Sequence, residues 1–160
     1  MVDGSPPAPK APPAALFRVI NPVMGAVLRS PLHRAVSGRL MRLEFTGRRS
    51  GRRYALPVGY VRSGDELLTG TEKGWKANFR GGGPVTVWLD GRPRQGSADL
   101  IEDAAGLGEA YRRIAAVQPG FFRFVGVRLG PDGLPHPADV ARAAAAGHAV
   151  VRVRLDPATG

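Results

Sequence analysis

The sequence predicts an α+β, mainly β, fold: a small antiparallel barrel with peripheral helices. Three features carry that expectation. Five strand-like segments follow one another from Met41 to Ile101 with only short turns between them. One long amphipathic helix comes after them, and a last alternating segment, His148–Leu155, returns to close the array.

Residues 1–14 (MVDGSPPAPKAPPA) read as a disordered tail, because proline is dense and little can be buried. Residues 15–38 read as an N-terminal helical segment. Leu16, Val19, Ile20, Val23 and Val27 recur at three- and four-residue spacing, and Pro22 and Pro31 divide the segment into two short helices. Two roles stay open for it: a helix packed on the domain, or a basic amphipathic stretch that touches a membrane surface. The barrel domain is expected over residues 39–157.

Met41, Leu43 and Phe45 alternate with Arg42, Glu44 and Thr46, the pattern of a half-buried strand. Tyr54, Leu56, Val58 and Tyr60 share one face of a second strand. The opposite face carries Ala55, Pro57 and Gly59, which reads either as a shallow trough for a flat ligand, or as a tight barrel interior or an edge strand. Ser63-Gly64-Asp65 makes a turn into a third strand, Glu66–Thr71. Trp75–Arg80 reads as one or two helical turns ended by Gly81-Gly82-Gly83. Val85–Leu89 and Arg92–Ile101 form a hairpin about Asp90-Gly91. In the helix Asp103–Val117, Leu107, Ala110, Tyr111 and Ile114 make the buried stripe and Pro119-Gly120 ends it. Residues 121–137 read as irregular, with Asp139 capping a short alanine-rich helix that ends at Gly147.

A chain of 160 residues with 43% hydrophobic residues has room for one core. It contains no cysteine, which excludes disulfides and thiolate metal sites. The net charge is +10, and apart from Lys10, Lys73 and Lys76 every basic residue is arginine. A GC-rich coding sequence accounts for abundant Ala, Gly, Pro and Arg together, but the charge favours anionic partners whatever its origin. No apolar run is long enough to span a bilayer, and the start lacks the pattern of a cleavable signal. The expected location is cytoplasmic, with membrane association resting on residues 15–38.

The densest chemistry lies between the first two strands. Arg48, Arg49, Arg52 and Arg53 surround the hydroxyl of Ser50, and Gly47 and Gly51 allow a sharp bend that would turn main-chain N–H groups outward. This composition makes an anion cradle, with a cofactor phosphate as the expected anion. The turn is not a Walker loop, and no G-x-G-x-x-G follows a strand. His33, His136 and His148 are isolated, no H-E-x-x-H occurs, and no serine lies in a nucleophile elbow, so neither a metal ligand set nor a catalytic residue is assigned. Nucleic-acid binding is not expected, because the arginines concentrate in one turn and aromatics do not alternate with them along a strand. In the segment Thr69–Phe79, Lys73, Trp75 and Lys76 combine cation and aromatic, which suits a conjugated anionic ligand.

The run LEFTGRRSGRRYALPVGY resembles the signature of the deazaflavin-dependent nitroreductase family, also described as a nitroreductase/quinone reductase family. The similarity spans Leu43 to Val58 and extends to Gly74-Trp75-x-x-Asn78-Phe79 and the closing strand VVRVRLDP. It implies a split β-barrel of the FMN-binding-like kind that holds coenzyme F(420). It also implies hydride transfer from the reduced coenzyme to a quinone, a nitro compound or a similar activated small-molecule acceptor. Carried onto this sequence, it implies cofactor contacts from Arg48, Arg49, Ser50 and Gly51, then Arg53, Pro57 and Val58, and Thr71, Lys73, Trp75 and Asn78. Tyr60, Phe121, Phe122 and Phe124 fall on the substrate side. The last three stand where the family has tyrosines, and the stretch before Trp75 is shorter than the family's. A homodimer is expected from the resemblance alone. Two alternatives remain: an FMN-binding oxidoreductase in the same barrel, and a non-catalytic carrier of the cofactor or a tetrapyrrole.

Overall fold

A computed structural model describes residues 40–158. The tail predicted over 1–14 and the helical segment over 15–38, with its membrane-contact alternative, lie outside the described residues. Seven strands form one antiparallel sheet: β1 (Leu40–Thr46), β2 (Arg53–Gly59), β3 (Val61–Ser63), β4 (Glu66–Thr71), β5 (Gly83–Leu89), β6 (Arg92–Ile101) and β7 (Ala149–Leu155). A 3-10 helix, Gly74–Phe79, lies between β4 and β5. Helices α1 (Ala104–Val117), α2 (Phe122–Val125) and α3 (Pro137–Ala145) follow β6.

The strand order is β2-β1-β5-β6-β7-β4-β3, so the two edge strands are neighbours in sequence. In a flat sheet, six inter-strand spacings of about 4.8 Å would hold those edges roughly 29 Å apart. Only Tyr60 joins β2 to β3, and two successive Cα–Cα steps of about 3.8 Å reach less than 8 Å. The sheet must therefore curl back on itself. β2 and β4 touch across the seam without a hydrogen-bonded ladder, which makes the barrel split rather than closed.

Alternation sorts the side chains into two apolar layers. Met41, Leu43 and Phe45 of β1, Leu56 and Val58 of β2, Val85 and Val87 of β5, and Val151 and Val153 of β7 fill the barrel. The opposite faces of β3, β4 and β7 present Val61, Leu68 and Val150 to Leu107, Ala110, Tyr111 and Ile114 of α1. Tyr111 is wholly buried there, and burial, reinforced by the charge of Glu72, pushes its phenol up to about 12. Asp103 caps α1, accepting the Gly106 N–H at 2.8 Å. Asp90 (φ 50°) and Gly91 (φ 76°) both take the left-handed region, as a two-residue type I′ hairpin requires.

Three expectations change. The second strand stops at Gly59 and a separate strand starts at Val61, because the chain there crosses from one sheet edge to the other. Asp139 does not cap the last helix. Pro137, with its fixed φ, opens that helix and leaves His136 at the cap position, which places Asp139 inside the first turn. Its buried carboxylate meets Arg128 (2.8 Å) and Arg142 (2.6 Å). The segment after α1 is partly helical: a 3-10 turn at Pro119–Phe121 leads into α2, which Gly126 ends in the left-handed region.

Candidate anion and cofactor cleft

The turn between β1 and β2 is held from within. Gly47 N–H donates to the Arg52 carbonyl (2.8 Å) and Gly51 N–H to the Gly47 carbonyl (3.0 Å), with Gly51 at φ 66°. Arg52 N–H donates to Ser50 Oγ (3.2 Å), and that oxygen lies 3.2 Å from the Tyr54 hydroxyl. Gly47 is required for space rather than for φ. A Cβ there would lie 2.6 Å from Ser50 Oγ and 2.7 Å from the Tyr54 ring. The N–H groups of Gly47, Arg48, Gly51 and Arg52 are thus all engaged internally. The outward-facing main-chain cradle expected from the sequence does not form at these positions, and the positive charge of the turn is carried by its arginine side chains.

The 3-10 helix forms the facing wall. Asn78 joins the two walls: its Oδ1 accepts the Arg48 N–H (3.0 Å) while its Nδ2 donates to the Trp75 carbonyl (2.8 Å). The Arg48 guanidinium donates through Nη1 to the Arg80 carbonyl. Between the walls lies a cleft of about 780 Å³ lined by Arg48, Arg49, Ser50, Tyr54, Gly74, Ala77, Asn78 and Arg80. Three arginines and no acidic residue line it, so its field favours an anion.

An aromatic cluster supports the cleft. Phe45 stacks on Tyr54 (centroids 5.4 Å apart) and meets Phe79 edge-on (4.9 Å), and Trp75 meets Phe79 edge-on (6.0 Å). Apolar packing therefore fixes the positions of polar groups that would otherwise be free in solvent.

Of the cofactor contacts implied by the sequence, the structure brings Arg48, Arg49, Ser50 and Asn78 into one cleft, with Gly51 shaping the turn and Trp75 in the supporting cluster. Thr71 and Lys73 lie where β4 leads into the 3-10 helix. Thr71 Oγ1 accepts the Lys73 N–H (3.1 Å), and Lys73 pairs with Glu72 (3.2 Å). Arg53 lies on the opposite face of β2 from Tyr54 and lines a smaller groove of about 150 Å³ with Glu44, Thr46 and Gln95. Pro57 shares the Arg53 face, opposite Arg42 on β1. Ala55, Pro57 and Gly59 thus belong to an edge strand and face away from the barrel core. Val58 and Tyr60 belong to that core.

The phenylalanines implied for substrate contact sit in the helical layer. Phe122 is buried, Phe121 lies over Gly70 of β4 where a Cβ would meet its ring at 2.5 Å, and Phe124 is exposed. Tyr54, Gly74, Ala77 and Arg80 also line the cleft and are not among the cofactor contacts implied by the sequence. Arg80 had a legible signal, since it is the last residue before the glycine run. Tyr54 read as an inward strand residue, which it also is.

Fold and site together define a split-barrel protein with an arginine-lined cleft at the barrel end. No family model matches the chain, and no curated protein matches it. Among solved structures it is similar to the FAD- and heme-binding protein of Mycobacterium smegmatis: 18% identity, TM-score 0.43, covering 81% of this chain and 72% of that one. It is also similar to a candidate 5-nitroimidazole antibiotic resistance protein of Bacteroides thetaiotaomicron VPI-5482, at 14% identity and TM-score 0.45, with coverages of 88% and 80%. A third similar structure is an F(420) reductase, at 20% identity and TM-score 0.36, with coverages of 74% and 86%.

Proposed function

We propose that this protein is a deazaflavin-dependent oxidoreductase that binds coenzyme F(420) in the arginine cleft and passes a hydride to a quinone, a nitro compound or a similar activated acceptor. The observation that carries the proposal is the joining of the arginine turn to the tryptophan segment through Asn78. The two motifs of the sequence resemblance, joined by a hydrogen bond across 30 residues, meet as the two walls of one cleft.

The donor set fits a phosphate-bearing cofactor. Arg48 and Arg49 offer charge-assisted hydrogen bonds, and a guanidinium can bind phosphate through two parallel N–H groups. Ser50 and Tyr54 add hydroxyls to the same lining. When bound, the cofactor supplies the hydride. The residues of the chain bind its anionic part, orient its ring system against the barrel end and limit access of water. FMN shares the phosphate and the tricyclic ring and is the alternative cofactor. A non-catalytic carrier would use the same cleft.

Anaerobic mixing of the protein with reduced F(420) and a quinone or nitroaromatic acceptor tests the proposal. Acceptor-dependent return of the oxidised-cofactor absorbance is the expected result. Binding without turnover supports the carrier, and binding of FMN alone moves the assignment to the flavin. If neither cofactor binds at micromolar concentration, the proposal fails.

A further inference from the structure

We infer that Glu102 is a positioning residue that withholds Arg80 from the anion in the cleft and so sets how many guanidinium groups a bound anion meets. The inference rests on the cleft being an anion site.

Arg80 is the third arginine of the cleft wall, but two of its guanidinium nitrogens, Nε and Nη2, are engaged by Glu102. Its Nε lies 3.1 Å and 3.3 Å from the two carboxylate oxygens of Glu102, and its Nη2 lies 3.1 Å from one of them. Glu102 does not line the cleft; it follows β6 and precedes the Asp103 cap of α1. The Arg80 main chain serves the cleft at the same time, because its carbonyl accepts Nη1 of Arg48. Two arginines thus meet at Arg80, and Glu102 is the acid that pairs with the Arg80 guanidinium. Both partners are about half exposed, at 56% and 45%, so the pair is solvated and exchangeable. Gly81 and Gly82, both at φ 82°, follow directly and turn the chain back into β5.

Inorganic pyrophosphate provides the test, with binding measured by calorimetry at several salt concentrations. One extra guanidinium charge within about 6 Å of an anion in a water-like medium corresponds to roughly threefold in affinity per unit of anion charge. Glu102→Gln is therefore expected to bind pyrophosphate, which carries about two to three charges, about ten- to thirtyfold more tightly at low salt, with a steeper salt dependence. Glu102→Asp, which keeps the charge, is expected to stay near the wild type. Arg80→Gln alone leaves Glu102 unpaired and is expected to weaken binding less than Arg49→Ala does, since Arg80 is already withheld, and it should abolish the gain in the Glu102→Gln background. Unfolding temperature reports any purely structural effect and is expected to move little.

The inference is overturned by unchanged or weaker binding in Glu102→Gln. It is also overturned by a gain that persists without Arg80, or by Arg80→Gln alone weakening binding as much as Arg49→Ala does. Those results leave the cleft reading intact provided the wild type binds. If neither the wild type nor Glu102→Gln binds pyrophosphate, both fall.

Discussion

The main-chain N–H of Arg48 donates to Asn78 Oδ1 at 3.0 Å across 30 residues of sequence. This bond fixes the distance between the arginine turn and the 3-10 helix, and with it the width of the cleft. The Asn78 side-chain amide in turn donates through Nδ2 to the Trp75 carbonyl, so one side chain holds a turn and a helix in register.

Removing that amide should loosen the cleft more than the fold. Asn78→Ala is expected to cost about 1–3 kcal/mol in stability, the usual net contribution of the two hydrogen bonds it makes. Its effect on cofactor affinity should be larger, because both walls lose their link. Asn78→Asp keeps the acceptor but brings a negative charge to the proposed anion site, and it should bind worse than Asn78→Ala. Chemical denaturation paired with cofactor titration checks both.

Acid should act on the helical layer through Asp139. Hydrogen bonds from the Arg128 side chain and main-chain N–H hold its carboxyl well below the usual carboxylate range, against the opposing effect of burial, and Arg142 adds to them. A folded-state value below the unfolded one means that the stabilisation is complete above the unfolded carboxylate range, near pH 4. It is lost progressively as pH falls below that. Asp139→Asn is expected to be less stable at neutral pH and to lose less than the wild type between pH 4 and pH 2. Unfolding temperature across that interval is the measurement. Parallel curves for the two proteins would remove the assignment.

Gly96→Ala tests the close approach of β6 to β7. A Cβ at that position would overlap the Arg154 carbonyl, which is main chain and cannot rotate away. The expected loss is about 1–3 kcal/mol, typical of overpacking, read as a lower denaturation midpoint with unchanged slope.

Thr69 offers a gain. Its hydroxyl is buried on β4 and has no hydrogen-bond partner among the described residues. Thr69→Val keeps the β-branched shape and removes the unpaired oxygen. A stabilisation of about 1 kcal/mol is expected, within the cost of leaving a buried polar group unsatisfied. A destabilised variant would mean that the hydroxyl has a partner.

Much of this fold is legible along the chain because its signals are local. The alternation of Met41, Leu43 and Phe45, the Asp90-Gly91 hairpin and the stripe Leu107, Ala110, Tyr111 and Ile114 are each decided within a few residues, and the structure has all three as expected. What was not legible depends on distant partners. The break at Tyr60 follows from sheet closure, since Tyr60 continues the apolar pattern of Leu56 and Val58 into the barrel while Val61 faces the helical layer and pairs with Leu68. Asp139 looks like a cap until Arg128, eleven residues earlier, is known to meet it. The cleft shows the same division. The arginine turn is conspicuous in the sequence, whereas Arg80 and Tyr54 become cleft residues only when the 3-10 helix folds against it.

The claim that the arginine cleft binds the cofactor through its phosphate is tested most directly by titrating F(420) into the wild type and an Arg48→Ala/Arg49→Ala variant, following tryptophan fluorescence. Charge-assisted hydrogen bonds contribute roughly 1.5–3 kcal/mol each, so the account predicts micromolar or tighter binding to the wild type and a loss of two or more orders of magnitude in the folded variant. Equal affinity in the two proteins would contradict it and leave the turn as a solvated loop.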